Sequence, residues 1–376
     1  MTFENLLALF PALVAITWQD FVMMLVGCVL LYLAIVKDYE PVLLLPIGFA
    51  AILTNLPLTG IADLANHGFL AILLDAGVTT ELFPLLIFIG IGAMTDFGPL
   101  LENPKMALLG AAGQLGIFGT LLLALYLGFD INEAASIGII GAIDGPTAIY
   151  VSSKLAPHLM GPIVVAAYSY MSLVPIIQPP VMRLLTTEAE RKVRMPYTQK
   201  EVSKTVRVVF PIAVTIVISL ISPQASPLIA TLMFGNLMRE SGVVNRLSEA
   251  AQNEIANVTT IFLGLAIGST MTGDSFIRSE SLFILGMGLL AFVLDTAGGV
   301  VFGKIFYLLS GKKFNPLIGA AGISAFPMSA RIVQRVGQED DHGNFLLMHA
   351  MGANTAGQLG SVVAGGVVLT LLSGIL

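Results

Sequence analysis

Residues 139–150 read IIGAIDGPTAIY, a run that sets one carboxylate, Asp144, among apolar residues and follows it at once with Gly145 and Pro146. Proline lacks an amide hydrogen and clashes with the preceding turn, so a helix does not run through this point unbroken. An acid at the bilayer centre costs roughly 2.5–3.5 kcal/mol on insertion scales and is kept only with a partner or a task. Irregular backbone at membrane depth is tolerated only inside protein or along a cavity. The stretch therefore predicts a discontinuous membrane segment with a site at its break.

The whole chain fits that setting. Its 376 residues are 56% hydrophobic and only 11% charged, where soluble domains carry roughly 25% charged residues. This excludes a nucleic-acid binder, a disordered tail and an ordinary soluble enzyme. Cys28 is the one cysteine, so there is no disulfide framework and no cysteine-based zinc site. His67, His158, His342 and His349 lack metal-ligand spacing, and GMGLLA at Gly286 lies in an apolar span with no strand before it.

Apolar stretches fall at about 20–36, 41–57, 82–97, 106–127, 134–152, 161–184, 208–222, 227–238, 255–272, 281–302, 314–332 and 344–375. Residues 1–19, with Pro11 and no basic lead, read as an interfacial N-terminal segment. Seven basic residues, Arg183, Arg191, Lys192, Arg194, Lys200, Lys204 and Arg207, cluster around the hydrophilic loop 185–204, which is expected in the cytoplasm. The stretch 57–81 has no Lys or Arg and is expected outside; Lys154 is the dissenting charge. If 134–152 and 161–184 both crossed fully, Arg183 would fall on the wrong side. Segment 134–152 therefore enters and returns, and the same count makes 314–332 dip in from the cytoplasm.

The two halves then run in opposite senses. Gly138-x-x-Gly141-x-x-x-x-Pro146 recurs as Gly319-x-x-Gly322-x-x-x-x-Pro327, and at the same offset Gln114 falls on Asp295. The expected fold is an all-α polytopic membrane protein of inverted-topology repeats, 20–184 and 205–376, with two discontinuous, re-entrant segments.

Asp144, freed carbonyls and the Thr147 hydroxyl form an all-oxygen cluster. Hard cations prefer oxygen, and one carboxylate suits a monovalent ion; the alternative is a helix cap at Asp144. GANTAGQLGS, residues 352–361, reads as a second break, in which Asn354 offers a neutral oxygen and Gln358 follows one turn on. Interhelical hydrogen bonding is the competing reading there. NPLIGAAGISAFPMSARIV contributes Asn315, Ser324, Ser329 and Arg331; Arg331 either holds an anionic group or snorkels to the interface. Tyr170, ahead of Pro175, is a hydroxyl donor or an interfacial aromatic, and Tyr168 fits the aromatic role better. Asp295 is a second intramembrane carboxylate without an assigned role.

GAIDGPTAIY, AAYSYMSLVPIIQPPVMR, NPLIGAAGISAFPMSAR and MGANTAGQLGS, in this order, resemble the β subunit of the sodium-translocating biotin-dependent decarboxylases, from about residue 20 to the C-terminus. That family acts on oxaloacetate, methylmalonyl-CoA, glutaconyl-CoA or malonate. The resemblance implies a subunit of the inner cell membrane that decarboxylates carboxybiotin, consumes a proton and exports Na⁺. It implies Na⁺ ligands at Asp144, Asn354, Asn315 and Ser324, a carboxybiotin-side Arg331, and coupling or proton delivery through Tyr170. Implied partners are a carboxyltransferase, a biotin carrier holding the cofactor, a small single-span subunit, and further copies of the chain. A Na⁺-coupled carboxylate symporter or a cation/proton antiporter is the competing class.

Overall fold

The computed structural model describes residues 11–196 and 201–373. The first ten residues of the expected interfacial segment, and 197–200 of the expected loop with Lys200, lie outside the described residues. Every regular element among those described is helical. The first half holds α1 (Trp18–Val36), α2 (Pro41–Thr54), α3 (Leu82–Met94), α4 (Met106–Tyr126), α5 (Ile131–Gly138), α6 (Gly145–Leu155) and α7 (Met160–Leu185). The second holds α8 (Lys204–Ile221), α9 (Ser226–Ser241), α10 (Ala256–Ser269), α11 (Ser279–Leu309), α12 (Met328–Asp340) and α13 (Leu347–Ser373).

Five of these helices, α1, α4, α8, α11 and α13, are long and apolar enough to cross a membrane; two bent pairs raise the number to as many as seven. One pair is a short helix over 69–79 with α3, and the other is α7, bent by 66° after Met171. Pro175 explains the second bend, because it removes the amide that would bond the Met171 carbonyl. Outer faces are apolar: α8 buries only Pro211 and leaves Leu220 and Ile221 open. Such a surface is stable against lipid and unfavourable in water, and the protein is a multi-pass membrane protein.

Helix order and packing recur between the halves. Helix α1 lies on α2 as α8 lies on α9, and α7 packs on α11 as α13 packs on the start of α4. Two further contacts cross from one half to the other, α2 with α10 and α3 with α9. Small residues permit this close approach. At the α3–α9 crossing, a Cβ on Gly235 would overlap the Ile89 carbonyl, and one on Gly92 would overlap the Leu232 carbonyl. The result is one layer of α1–α3 with α8–α10, and a second of α4–α7 with α11–α13.

Both segments expected to be re-entrant do contain a break. Helix α5 runs into a 3-10 turn, Ile143 adopts φ 51°, and α6 starts after Asp144 with Pro146 in its first turn. In the second, a 3-10 turn over Pro316–Gly322 gives way to extended backbone at Ile323 before α12. Helix α12 continues to Asp340, past the expected end at 332, burying Ser329, Ile332, Val333 and Val336 at helical spacing. One expectation is corrected. The GANTAGQLGS stretch is not a break, because α13 runs through it unbroken. Glycines weaken a helix by only about 1 kcal/mol each, and without a proline the packed α13 tolerates them.

Gly235→Ile should lower the melting temperature by several degrees, since a backbone carbonyl cannot move aside and overpacking costs roughly 1–3 kcal/mol. Thermal unfolding in detergent, monitored by size exclusion, checks this; an unchanged melting temperature would contradict the close α3–α9 crossing.

Candidate functional site

The backbone break delivers Asp144 to the interior with 4% of its surface exposed. As N-cap of α6 its Oδ1 accepts from the Thr147 amide at 3.4 Å, which leaves Oδ2 to other partners. Three neutral donors converge on Oδ2: the Thr147 hydroxyl at 2.8 Å, the Ser361 hydroxyl at 2.8 Å and the Gln358 amide at 3.2 Å. None of these carries charge, and no Lys, Arg or His pairs with Asp144 among the described residues. Each donor would partly solvate an ionised carboxylate, and none of them would neutralise it.

Helix α13 supplies two of the donors because Asn354, Gln358 and Ser361 lie at i, i+4 and i+7 on one face. Ser361 was missed as a site residue, although this spacing within GANTAGQLGS contains the signal. Asn354 donates through Nδ2 to the Ile323 carbonyl at 2.7 Å, while its Oδ1 is buried with no hydrogen-bond partner. Ser324 donates to the Gly357 carbonyl at 3.0 Å. The Gln114 amide reaches the carbonyls of Gly110, Gly322 and Gly357 at 3.1–3.5 Å, joining α4 to both the second broken segment and α13.

A cavity of about 440 Å³ opens onto Asp144, Gly145, Pro146, Ser324, Pro327 and Gln358. Its other wall comes from the opposite layer, including Glu40, Leu43, Ile87, Ile91 and Thr260. Asp144, Thr147, Ser324, Gln358 and, one turn away, Asn354 are thus brought together. The carboxylate, two hydroxyls, the orphan Asn354 oxygen and nearby carbonyls suit a small hard cation.

Four other expected residues lie elsewhere. Asn315 accepts from the Leu317 amide through Oδ1, capping the 3-10 turn, and donates through Nδ2 to the carbonyls of Arg191 and Val193 at 2.8 and 2.9 Å, so its amide ties that turn to the loop. The Tyr170 hydroxyl donates to the Leu285 carbonyl of α11 at 2.5 Å. Asp295 is fully buried; its Oδ1 accepts from the Gly116 amide and its Oδ2 is unpartnered. Arg331 is exposed, in an open groove of about 330 Å³ with Gln334, Arg335, Gln338, Glu339 and His342. Tyr168, read as an interfacial aromatic, is instead 2% exposed and lines the Asp144 cavity.

The end of α7 and the hydrophilic loop are tied to the end of α12 by Arg183 with Glu339, Arg191 with Asp340 and Arg194 with Asp341. Hydrogen bonding from Arg194 holds the half-buried Asp341 carboxyl down at about 2, so this link stays charged through the neutral range.

Spans, broken helices and a buried carboxylate set among neutral donors are the marks of an ion-translocating membrane protein. The chain belongs to the family described as Na⁺-transporting oxaloacetate decarboxylase beta subunit, whose profile matches residues 19–372. It is 56% identical over 361 residues to the glutaconyl-CoA decarboxylase subunit beta of Acidaminococcus fermentans, covering 96% of this chain and 95% of that one. The methylmalonyl-CoA decarboxylase subunit beta of Veillonella parvula is 54% identical over 359 residues, with 96% and 95% covered. The probable oxaloacetate decarboxylase beta chain of Vibrio cholerae is 46% identical over 433 residues, with 99% and 100% covered. The protein is therefore a membrane beta subunit of the Na⁺-transporting decarboxylases, and its relatives are parts of multi-subunit enzymes.

Ser361→Ala withdraws one donor from a buried anion and should cost about 1–3 kcal/mol. Asp144→Asn should relieve most of that loss, because the amide oxygen carries no full charge. A double-mutant cycle on melting temperature measures the coupling; strict additivity would argue against the Ser361–Asp144 contact.

Proposed function

We propose that this chain decarboxylates carboxybiotin presented by a partner and uses the released free energy to export Na⁺ through the Asp144 site. The observation that carries the reading is the uncompensated Asp144 carboxylate, solvated only by Thr147, Gln358 and Ser361. A monovalent cation supplies the missing charge, with Asn354 Oδ1 and the Ser324 hydroxyl as neutral oxygens beside it. Decarboxylation breaks the N–CO₂⁻ bond of carboxybiotin, releases CO₂ and leaves a nitrogen that takes up one proton. Arg331, which makes no ion pair among the described residues, is the group for the carboxylate on the loop side. Tyr170 is assigned to coupling or proton delivery, and Asn315 acts through the loop that it holds.

In this reading the repeats are 20–184 and 205–376, inverted with respect to each other, and 185–204 faces the cytoplasm of an inner cell membrane. The recurrence of helix order and packing supports the repeats, and clustered Arg and Lys support the side. Partners are a carboxyltransferase, a biotin carrier, a small single-span subunit and further copies of the chain. Oxaloacetate, methylmalonyl-CoA, glutaconyl-CoA and malonate are the acids to assay with the purified complex.

Two measurements test the reading. In inverted vesicles, CO₂ release from carboxybiotin should require Na⁺ and drive Na⁺ uptake, and Asp144→Asn should abolish both by at least a hundredfold while the protein still inserts. CO₂ release independent of Na⁺ would overturn coupling; Na⁺ stimulation retained in Asp144→Asn would overturn the site. Separately, single cysteines at Thr186 and Asp63, in a chain lacking Cys28, should label from the cytoplasm and from outside respectively. Labelling of both from one side would overturn the inverted arrangement.

A further inference from the structure

The cavity at Asp144 has two more oxygen groups in its walls, contributed by different layers. Tyr168 on α7 is 2% exposed, and its hydroxyl is buried with no hydrogen-bond partner. Its ring lies directly on the backbone after Asp144: a Cβ on Gly145 would overlap the ring and reach the hydroxyl. From the opposite wall comes Glu40, half-buried just before α2, whose side chain makes no hydrogen bond or ion pair among the described residues. Tyr168, Asp144 and Glu40 all line this one cavity. Glu40 is also held at φ 37°, a left-handed backbone that a non-glycine residue seldom adopts.

A buried phenol that bonds nothing and a half-buried carboxylate that pairs with nothing are each unfavourable alone. A cation between them relieves both. We propose that Glu40 and Tyr168 form an outer cation station in the same cavity as Asp144, which takes Na⁺ and passes it to the Asp144 carboxylate. The proposal rests on Asp144 being the Na⁺ site and adds a second stop before it. Glu40 supplies charge that draws the ion into the cavity. Tyr168 supplies a neutral oxygen that faces the ion on its way to Asp144. Both groups sit across the boundary between the layers, so the station is complete only while the layers are seated as in this structure.

The test uses the intact complex in lipid nanodiscs, with Na⁺-dependent thermal stabilisation read against choline chloride. Wild type should be stabilised by Na⁺, and Asp144→Asn should lose the effect. Glu40→Gln should raise the half-saturating Na⁺ concentration about tenfold and Tyr168→Phe about fivefold. Their combination should shift it by less than the product, because both act on one ion. If Asp144→Asn abolishes the effect while either single variant stays within twofold of wild type, the shared station is wrong and the Asp144 site stands. If wild type shows no Na⁺-specific stabilisation, or Asp144→Asn retains it, the Asp144 site fails and the station with it. Melting in choline alone identifies a variant that has not folded. Should Tyr168→Phe be one, Glu40→Asp decides: keeping the charge should restore most of the affinity lost in Glu40→Gln, and no recovery would overturn the proposal.

Discussion

The structure is organised around Asp144, a buried carboxylate that no basic side chain among the described residues pairs with. Asp144 could have been paired with one of the chain's 18 Lys and Arg residues. The ion pairs among the described residues instead lie elsewhere, for example Lys154 with Glu81 and the three arginines that meet the end of α12. A fixed cation at Asp144 would make a stable interior and an inert one. Hydroxyls and an amide leave the carboxylate bearable but still attractive to a mobile ion. The broken helix serves this arrangement: it ends one helical piece, starts another, and puts the acid where the backbone is free to turn.

Holding that charge requires the two halves to interlock. Helix α6 carries Asp144 from the first half, while Gln358 and Ser361 reach it from α13 at the end of the second. The layers show the same exchange, with α2 on α10 and α3 on α9. A cavity between such layers draws its walls from both, and this is why Glu40, remote in sequence from every site motif, faces Asp144.

Much of this is written in local chemistry. Charge-poor apolar runs mark the helices, and Asp144-Gly145-Pro146 marks the break, because propensity and desolvation act over a few residues. The extension of α12 to Asp340 was legible too, in the spacing of Ile332, Val333 and Val336, but was hidden by charged neighbours at Arg331 and Arg335. Other features depend on contacts across the chain. Glycines at 352, 357 and 360 suggest a break in isolation, yet α13 is mostly buried against its neighbours and continues through them. Tyr168 and Tyr170 are alike as sequence; helix rotation sets Tyr168 in the cavity wall and sends the Tyr170 hydroxyl to the Leu285 carbonyl. Asn315 sits in a polar motif with Ser324, but the two are used differently because the turn between them separates loop from site.

The Gln358 and Ser361 contacts with Asp144 also bear on how the chain is made. They join positions 214 and 217 residues apart. During synthesis the broken segment reaches the membrane long before α13 exists, so Asp144 has only Thr147 for company over most of translation. A chain interrupted anywhere before α13 carries a carboxylate that its own structure cannot accommodate in lipid.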